Sequence, residues 1–344
     1  MSEPDLQAMQ RVIAEITTTL TQECTDLPLE IKGELPAALD GVYFRNGPGR
    51  FERGAQRYAH PFDGDGHVTR LALGPNGVRY TNRFVRTREY RDEERAGQMR
   101  HRAFGTNLPG GLAANLFRLR FKNAANTSVI WHAGRLLALW EGGAPHRLDP
   151  ITLETLGLET FGGRLRNPYP PPSNWLNPWL PFSAHPRVDP LTGELLNFGL
   201  LSGSPNRLLL YRVDAKGRMA PLEAHPLLRF SFIHDFAVTR RWICVLLPHA
   251  DFDVMRATLG LATPVGSLQI RGDRPMQAWL IPRQQDSAGP AKIETAVPKR
   301  DSERQAAGSG RAFKPGLIDC EPGFVFHIAQ AFDREDGALV MDVI

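Results

Sequence analysis

Three of the ten histidines stand in surroundings that suggest a shared task. His185 in FSAHPRVDP, His234 in FSFIHDFAVT and His327 in GFVFHIAQAFD each follow an apolar or aromatic run. An imidazole is costly to bury in such a place without a partner. Neutral imidazole is a ligand for iron, copper and zinc, so one shared metal ion would satisfy all three side chains. Three core histidines with separate hydrogen-bond partners are the alternative, and the spacing alone is weak evidence for a shared metal and leaves both interpretations open.

The elements that must position these histidines are predicted to be short strands. From residue 40 onward, β-branched and aromatic runs alternate with turn-forming residues, as in LALGPNGVRYTNRF, VDPLTGELLNF and AFDREDGALVMDV. This alternation is typical of successive hairpins, and no long helical pattern interrupts it. We therefore expect an all-β fold, either a propeller or a large sandwich. Strands arranged around an axis would allow ligands from distant parts of the chain to meet.

Other segments depart from the hairpin pattern. Apolar residues at helical spacing over residues 2–21 predict an amphipathic helix, which either packs on the main domain or lies on a lipid surface. Residues 164–181 combine a proline run with two tryptophans. Residues 284–315 are polar and rich in Gly, Ala and Ser, which predicts a mobile surface loop. We expect an N-terminal arm over residues 1–27 and one domain over residues 28–344.

Composition excludes several classes of protein. The net charge of +4 is spread along the chain, so nucleic acid is not an expected partner, whereas an anionic membrane surface is compatible. The three cysteines are far apart, which argues against a disulfide framework or a zinc ribbon and favours a reducing, cytoplasmic setting. The chain shows no secretory signal pattern and no stretch of 18 apolar residues, so no membrane span is expected.

Several ordered segments resemble one known family. ELPAALDGVYFRNGPGRF, HPFDGDGHVTRL, NAANTSVIWHAGRLLALWEGGAPHRLDPITLET and the three histidine motifs are similar, in order and spacing, to the carotenoid cleavage oxygenases. ALWEGGAPHRLDP is similar to the apocarotenoid oxygenases in particular. The resemblance implies a seven-bladed β-propeller with ferrous iron, Fe(2+), on its axis, held by four histidines. It also implies O2-dependent cleavage of a conjugated double bond in a carotenoid or apocarotenoid, with two carbonyl products.

The resemblance assigns roles to individual residues. His185, His234 and His327 match the first three iron ligands. Glu141 in LWEGG matches a glutamate that orients a ligand by accepting its other ring N–H. Thr127 in NAANTS matches the position that shields the open side of the iron, although an ordinary strand threonine is the alternative.

The resemblance also implies an apolar tunnel and a peripheral contact with the membrane in which the substrate dissolves. The tunnel residues that it indicates are Trp140, Leu112, Leu116 and Phe117. The tryptophans of residues 164–181 are candidates to extend the tunnel. For all of these side chains, packing inside the fold is the alternative. Stilbene-cleaving relatives place a lysine where Trp140 stands, so Trp140 favours a polyene substrate over a phenolic stilbene.

The chain departs from the family pattern after its third histidine motif. In the family, the fourth histidine and the closing strands follow that motif, and Ile344 precedes them here. The expectation is an incomplete propeller that binds iron less well. Three origins remain open at this point: a gene fragment, a split protein whose second chain supplies the fourth histidine, or an inactive remnant that binds apocarotenoid.

Overall fold

Strands form most of the regular structure, and the helices are few and short, as the all-β expectation requires. A computed structural model describes residues 3–36, 38–283 and 316–344. The predicted mobile loop of residues 284–315 lies outside the described residues. The contacts divide the chain into a first unit, Met1–Leu227 with Phe252–Leu268, and a second unit, Leu228–Asp251 with Gln269–Ile344. The division into an arm of residues 1–27 and a domain of residues 28–344 stays a prediction.

The helices occupy places where the chain lacks strand alternation. They are α1 (Glu3–Ile16), α2 (Arg88–Ala96), α3 (Gly111–Asn115), α4 (Ser173–Leu176) and α5 (Val254–Thr258), with 3-10 turns at Pro61–Asp63 and Val265–Ser267. Helix α1 ends earlier than the predicted residue 21, because three successive threonines follow it and β-branched residues disfavour helix. Its Val12 and Ile16 side chains are exposed.

The strands follow one another along the chain as short antiparallel segments. They are β1 (Cys24–Leu29), β2 (Gly41–Arg50), β3 (Glu52–Arg53), β4 (Gln56–Arg57), β5 (Asp65–Gly74), β6 (Gly77–Phe84), β7 (Ser128–His132), β8 (Arg135–Leu139), β9 (His146–Leu148), β10 (Thr155–Leu158), β11 (Arg187–Val188), β12 (Leu195–Leu201), β13 (Asn206–Val213), β14 (Glu223–Leu227), β15 (Phe236–Val238), β16 (Trp242–Leu247), β17 (Ala250–Phe252), β18 (Leu268–Ile270), β19 (Met276–Pro282), β20 (Leu317–Cys320), β21 (Ile328–Asp333) and β22 (Leu339–Val343).

Three four-stranded antiparallel sheets lie in the first unit, in the orders β1-β6-β5-β2, β10-β9-β8-β7 and β11-β12-β13-β14. Their apolar faces form the core, and strand β8 contributes Leu136 to Leu139 with almost no exposed surface. Burying a leucine side chain contributes roughly 1.5–3 kcal/mol, so these inner strands hold the unit together. The predicted hairpins are confirmed, for example in the pairing of Leu195 with Val213 in β12 and β13.

The second unit contains the sheet β15-β16-β19-β20 and the hairpin β21-β22. Trp242, Leu246 and Leu280 form its core together with Ile328, which follows a candidate ligand. No helix among the described residues is long and apolar enough to cross a membrane.

A buried ionic network in the first unit was not predicted from the sequence. Lys122 Nζ lies 2.8 Å from Asp65 Oδ1 and 3.0 Å from Glu93 Oε2. Arg53 Nη2 lies 2.6 Å from Asp65 Oδ2, and the Tyr58 hydroxyl donates to Glu93 Oε1 at 2.5 Å. All five side chains are nearly inaccessible to solvent. Burial, followed by the negative charge of Glu93, raises the pKa of Tyr58, so this hydroxyl stays protonated as a donor.

Candidate metal centre

His185 lies in a short segment of the first unit that strand β12 holds on one side. Ser183 N donates to Phe198 O at 2.8 Å, and Asn197 Nδ2 donates to Ser183 O at 2.8 Å. His185 N in turn donates to Ser183 Oγ at 3.3 Å. These bonds fix the backbone, and they leave the imidazole 22% exposed. Its orientation therefore depends on the segment 181–186 keeping its place on the sheet.

A glycine allows this segment to approach β12 closely. A Cβ added at Gly199 would lie 2.0 Å from Pro181 O, which no relaxed structure tolerates. We expect Gly199→Ala to push the segment away and to destabilise the protein by about 1–3 kcal/mol, as overpacking usually does. Metal content per folded molecule should fall as well, because His185 moves with the segment. Thermal unfolding and metal analysis of the purified variant measure the two effects.

Gly203→Ala provides the matched control for this prediction. A Cβ at Gly203 would lie at an ordinary 3.6 Å from Pro205 O, so the same substitution four residues away should change neither property. Equal melting temperatures and equal metal contents of the two variants would show that the close approach of Pro181 to Gly199 does not position His185.

Glu141 and Trp140 follow strand β8 directly and enter a glycine turn. Glu141 Oε1 lies 3.7 Å from His185 Nε2, which is too long for a hydrogen bond and places the carboxylate as an electrostatic neighbour of that ring. The ring of Trp140 covers Gly142, where an added Cβ would lie 2.8 Å from it. Phe182 N donates to Gly143 O at 3.1 Å, which links this turn to the His185 segment.

Thr127 directly precedes the neighbouring strand β7, whose first residue pairs with Leu139 at the end of β8. Its backbone N donates to Leu139 O at 3.0 Å, and its hydroxyl lies 3.2 Å from Asn126 Oδ1. Asn126 Nδ2 donates to Phe62 O and Gly64 O, so these two hydrogen bonds hold the Asn126 side chain in place. Thr127 thus lies beside the end of β8 from which Trp140 and Glu141 continue. Its role toward a metal stays a prediction.

His234 and His327 lie side by side in the second unit. Their ring centroids are 5.0 Å apart and the rings are nearly perpendicular. Phe326 contacts both imidazoles, with centroid distances of 4.1 Å to His234 and 5.0 Å to His327. His234 is only 7% exposed, whereas the His327 side chain is 44% exposed. The aromatic surroundings keep water away from the His234 ring.

Asp235 connects the two histidine segments, and sequence reasoning missed it. Its Oδ2 accepts from Ile328 N at 3.0 Å and lies 3.9 Å from His327 Nδ1, while Oδ1 accepts from Phe236 N at 2.8 Å. The side chain is 5% exposed. One carboxylate therefore holds the backbone after His327 and carries negative charge toward its ring. In the sequence, the only signal for a role of Asp235 is that it directly follows His234. No local pattern indicates its bond to Ile328, which is 93 positions away.

We expect Asp235→Asn to weaken metal binding and to lower stability by about 1–3 kcal/mol. The amide has one acceptor oxygen in place of two, so one of the two backbone N–H groups loses its partner, which carries that cost. Loss of the charge near His327 should weaken metal affinity roughly 10 to 100-fold, as for other groups that orient a ligand. Metal titration of the folded variant measures the second effect separately from unfolding.

Asp319→Asn is the control, because Asp319 is an acid of the same unit with a side-chain contact to Gln277. It should leave metal affinity unchanged. If both variants bind metal like the unmodified chain, Asp235 acts only on the fold.

Of the three predicted ligands, His234 and His327 are neighbouring imidazoles of the second unit, and His185 belongs to the first unit. The donor set is three imidazoles without a thiolate or a carboxylate ligand. Such a set suits iron, copper or zinc and disfavours magnesium or calcium. The residues therefore fit ferrous iron by donor chemistry.

The predicted tunnel residues of α3 and its flank lie at the surface. Leu112 is 52% exposed, Leu116 38% and Phe117 69%. Trp175, in α4, is 65% exposed, and Arg120 donates to its backbone carbonyl. These side chains form an exterior surface, and their contact with substrate stays a prediction.

A second exposed segment of the first unit joins this surface, and the sequence did not indicate it. Phe117 N donates to Thr258 O at 3.0 Å, which ties the end of α3 to α5. Around α5, Val254, Met255 and Leu261 are each more than half exposed. The hydrogen bond therefore joins two apolar segments that are far apart in the sequence.

Comparison with known proteins identifies relatives over nearly the whole chain. The family profile described as retinal pigment epithelial membrane protein matches residues 17–344. The apocarotenoid-15,15'-oxygenase of Synechocystis sp. is 35% identical over 323 residues, which are 92% of this chain and 58% of that protein. The resveratrol cleavage oxygenase 1 of Aspergillus fumigatus is 34% identical, again over 92% of this chain and over 55% of its own length.

Solved structures agree with the sequence comparison. A cobalt-substituted Synechocystis ACO superposes with a TM-score of 0.80 at 33% identity, covering 97% of this chain and 63% of that one. The chain thus spans less than two thirds of the length of these relatives. The mostly β fold, the ordered motifs and the matched profile together show that this chain belongs to the retinal pigment epithelial membrane protein family of carotenoid oxygenases.

Proposed function

We propose that this chain carries the iron-binding residues of a non-haem Fe(II) dioxygenase that cleaves a conjugated double bond of an apocarotenoid. The adjacent imidazoles of His234 and His327, with ring centroids 5.0 Å apart, are the observation that carries the proposal, and His185 of the first unit is the third proposed ligand. Further support comes from the relatives, whose names describe apocarotenoid, carotenoid and resveratrol cleavage. We also infer that the antiparallel sheets belong to a seven-bladed propeller.

Ferrous iron bound by neutral imidazoles would supply O2 activation without haem or an organic cofactor. The residues of the chain act by holding and orienting the ligands. Asp235 would fix His327, Glu141 would place negative charge beside His185, and Phe326 would exclude water from His234. Thr127 would restrict access by water, using its methyl group and a hydroxyl that Asn126 engages.

For the substrate, we favour a polyene over a phenolic stilbene. Trp140 presents a broad apolar ring beside Glu141 and offers no cation to a phenolate, whereas a polyene gains affinity from buried apolar area and aromatic contact. The 34% identity to a resveratrol cleavage oxygenase keeps stilbene cleavage as the second candidate. Product analysis with an apocarotenal and with resveratrol separates the two, and turnover of resveratrol alone would reverse our preference.

We further propose peripheral contact with a membrane through the exposed apolar surface of α3 and α5. Leu112, Leu116 and Phe117 lie on one segment of this surface, and Met255 and Leu261 lie on the other. Such side chains gain free energy by entering the boundary between head groups and acyl chains, and a lipophilic substrate reaches the protein from there.

Iron content and an apocarotenal cleavage assay, both on the purified chain, test the catalytic proposal. We expect iron to bind in proportion to folded protein and carbonyl products to form only in the presence of O2. Folded chain that takes up no iron under anaerobic loading would refute the proposal. Iron binding without products from either substrate class would restrict the chain to a metal-binding role.

A further inference from the structure

A cavity of the first unit lies outside the metal centre and has a basic lining. Its volume is about 720 Å³, and it lies between α2, residues 98–101 and α3. Arg95, Arg100 and Arg118 contribute from three separate segments, and His101 adds a further nitrogen. We call this cavity the arginine pocket. Three guanidinium groups around one open cavity are suited to an anion, because each presents a planar fork of donors.

The charge of the arginine pocket is largely uncompensated. Asp92 is the single carboxylate in its lining, and Asp92 Oδ1 lies 2.6 Å from Arg95 Nη2. Neither Arg100 nor Arg118 forms an ion pair within the part of the chain that the structure describes. Two positive charges therefore face the cavity without an internal partner, while Met99 and Leu108 give part of the wall an apolar character.

Buried groups fix the backbone that carries these arginines. Glu93 of the ionic network accepts from Arg100 N at 3.1 Å, and Gln56 Oε1 accepts from Met99 N at 2.7 Å. On the opposite side, buried Arg102 donates from Nη1 to Arg118 O at 3.0 Å. The walls of the pocket are thus positioned before any ligand arrives, which lowers the entropy cost of binding.

The neighbouring surface indicates where the anion comes from. Helix α3 contributes Ala114 to the pocket wall and exposes Leu112, and Arg118 directly follows the exposed Phe117. If Leu112 and Phe117 enter the boundary between head groups and acyl chains, Arg118 lies at the level of lipid phosphates. We propose that the arginine pocket binds the phosphate of an anionic lipid head group and thereby gives membrane docking a charge preference. This inference rests on the membrane contact proposed above.

Partitioning onto vesicles tests the inference. The full chain and the variant Arg100→Gln/Arg118→Gln are mixed with vesicles of phosphatidylcholine alone and with vesicles that also contain phosphatidylglycerol. The unmodified chain should bind the anionic vesicles more tightly. The variant should lose about 30-fold of that affinity, at roughly tenfold per 1.4 kcal/mol and about 1 kcal/mol per arginine, and should keep its binding to neutral vesicles. Both side chains are exposed, so the fold should survive, and thermal unfolding verifies this.

The double variant Arg88→Gln/Arg91→Gln is the matched control, because it removes the same charge from exposed positions of α2 outside the pocket lining. It should weaken anionic binding less than about threefold, since its charges lie away from the pocket. A loss equal to that of the pocket variant would overturn the inference in favour of general charge attraction.

Three further outcomes separate failure of the inference from failure of the proposals on which it rests. Binding to neither vesicle type would refute membrane contact itself, whereas equal binding to both types would refute only the arginine pocket. Inorganic phosphate that binds the unmodified chain while vesicle composition has no effect would assign the pocket to free phosphate and overturn the lipid source. Iron content, measured on the same samples, should be the same for all variants.

Discussion

Replacing His234 by alanine is expected to reduce the iron content of the purified chain to background. His234 is the most buried of the three proposed ligands, and its loss removes the imidazole that lies beside His327. Groups that only orient a ligand change metal affinity roughly 10 to 100-fold, so loss of a ligand itself should exceed about 100-fold. Anaerobic titration with ferrous iron, followed by metal analysis, measures the change.

The control for this prediction is His249→Ala, which removes an imidazole of the same unit that is not a proposed ligand. This variant should retain iron at the level of the unmodified chain. Far-UV circular dichroism of both variants verifies that the strands remain. Full iron occupancy in folded His234→Ala would mean that His234 does not bind the metal.

The candidate ligands could be found from the sequence because each follows an apolar or aromatic run, where a histidine stands out. The groups that orient these ligands could not be found from the sequence. Asp235 bonds to Ile328 across 93 residues, and no periodicity encodes such a distance. Gly199 could not be recognised either, since its importance comes from the close approach of Pro181 O in the folded chain.

The hairpins were predictable because turn residues and alternating side chains are local signals, and their register, such as Leu195 with Val213, follows from these signals. The buried ionic network was not predictable. Lys122 and Arg53 are charged residues, and a pattern of polar and apolar residues assigns them to the surface, whereas each is 1% exposed. Their burial depends on partners from separate segments that meet only in the folded unit.

Replacing Lys122 by methionine is expected to lower the free energy of unfolding by about 3–5 kcal/mol. Lys122 Nζ contacts both Asp65 and Glu93, and its removal leaves these two carboxylates with less positive charge in a buried place. For a unit of this size, such a loss corresponds to a decrease in melting temperature of about 10 °C. Urea unfolding and calorimetry measure the two quantities.

An exposed ion pair provides the control. Arg218 lies 2.8 Å from Asp214 on the surface, so Arg218→Met should cost less than about 1 kcal/mol. Similar losses in Arg218→Met and Lys122→Met would mean that the buried network contributes no more to stability than a surface pair.

The pH dependence of stability distinguishes loss of charge from loss of packing in Lys122→Met. Burial alone would raise the pKa of Glu93, but the charge of Lys122 and the hydrogen bond from Tyr58 outweigh it and hold the pKa below its usual 4.5. In the unmodified chain, ionised Glu93 therefore stabilises the fold at pH values above its usual pKa of 4.5. This contribution is lost as the pH falls through the lower pKa of Glu93 in the folded state. Without Lys122, burial should dominate and raise the pKa, so ionised Glu93 would destabilise the variant at neutral pH. The difference in unfolding free energy between the two proteins should therefore narrow as the pH is lowered from 7 toward 4, whereas a packing defect would leave it constant.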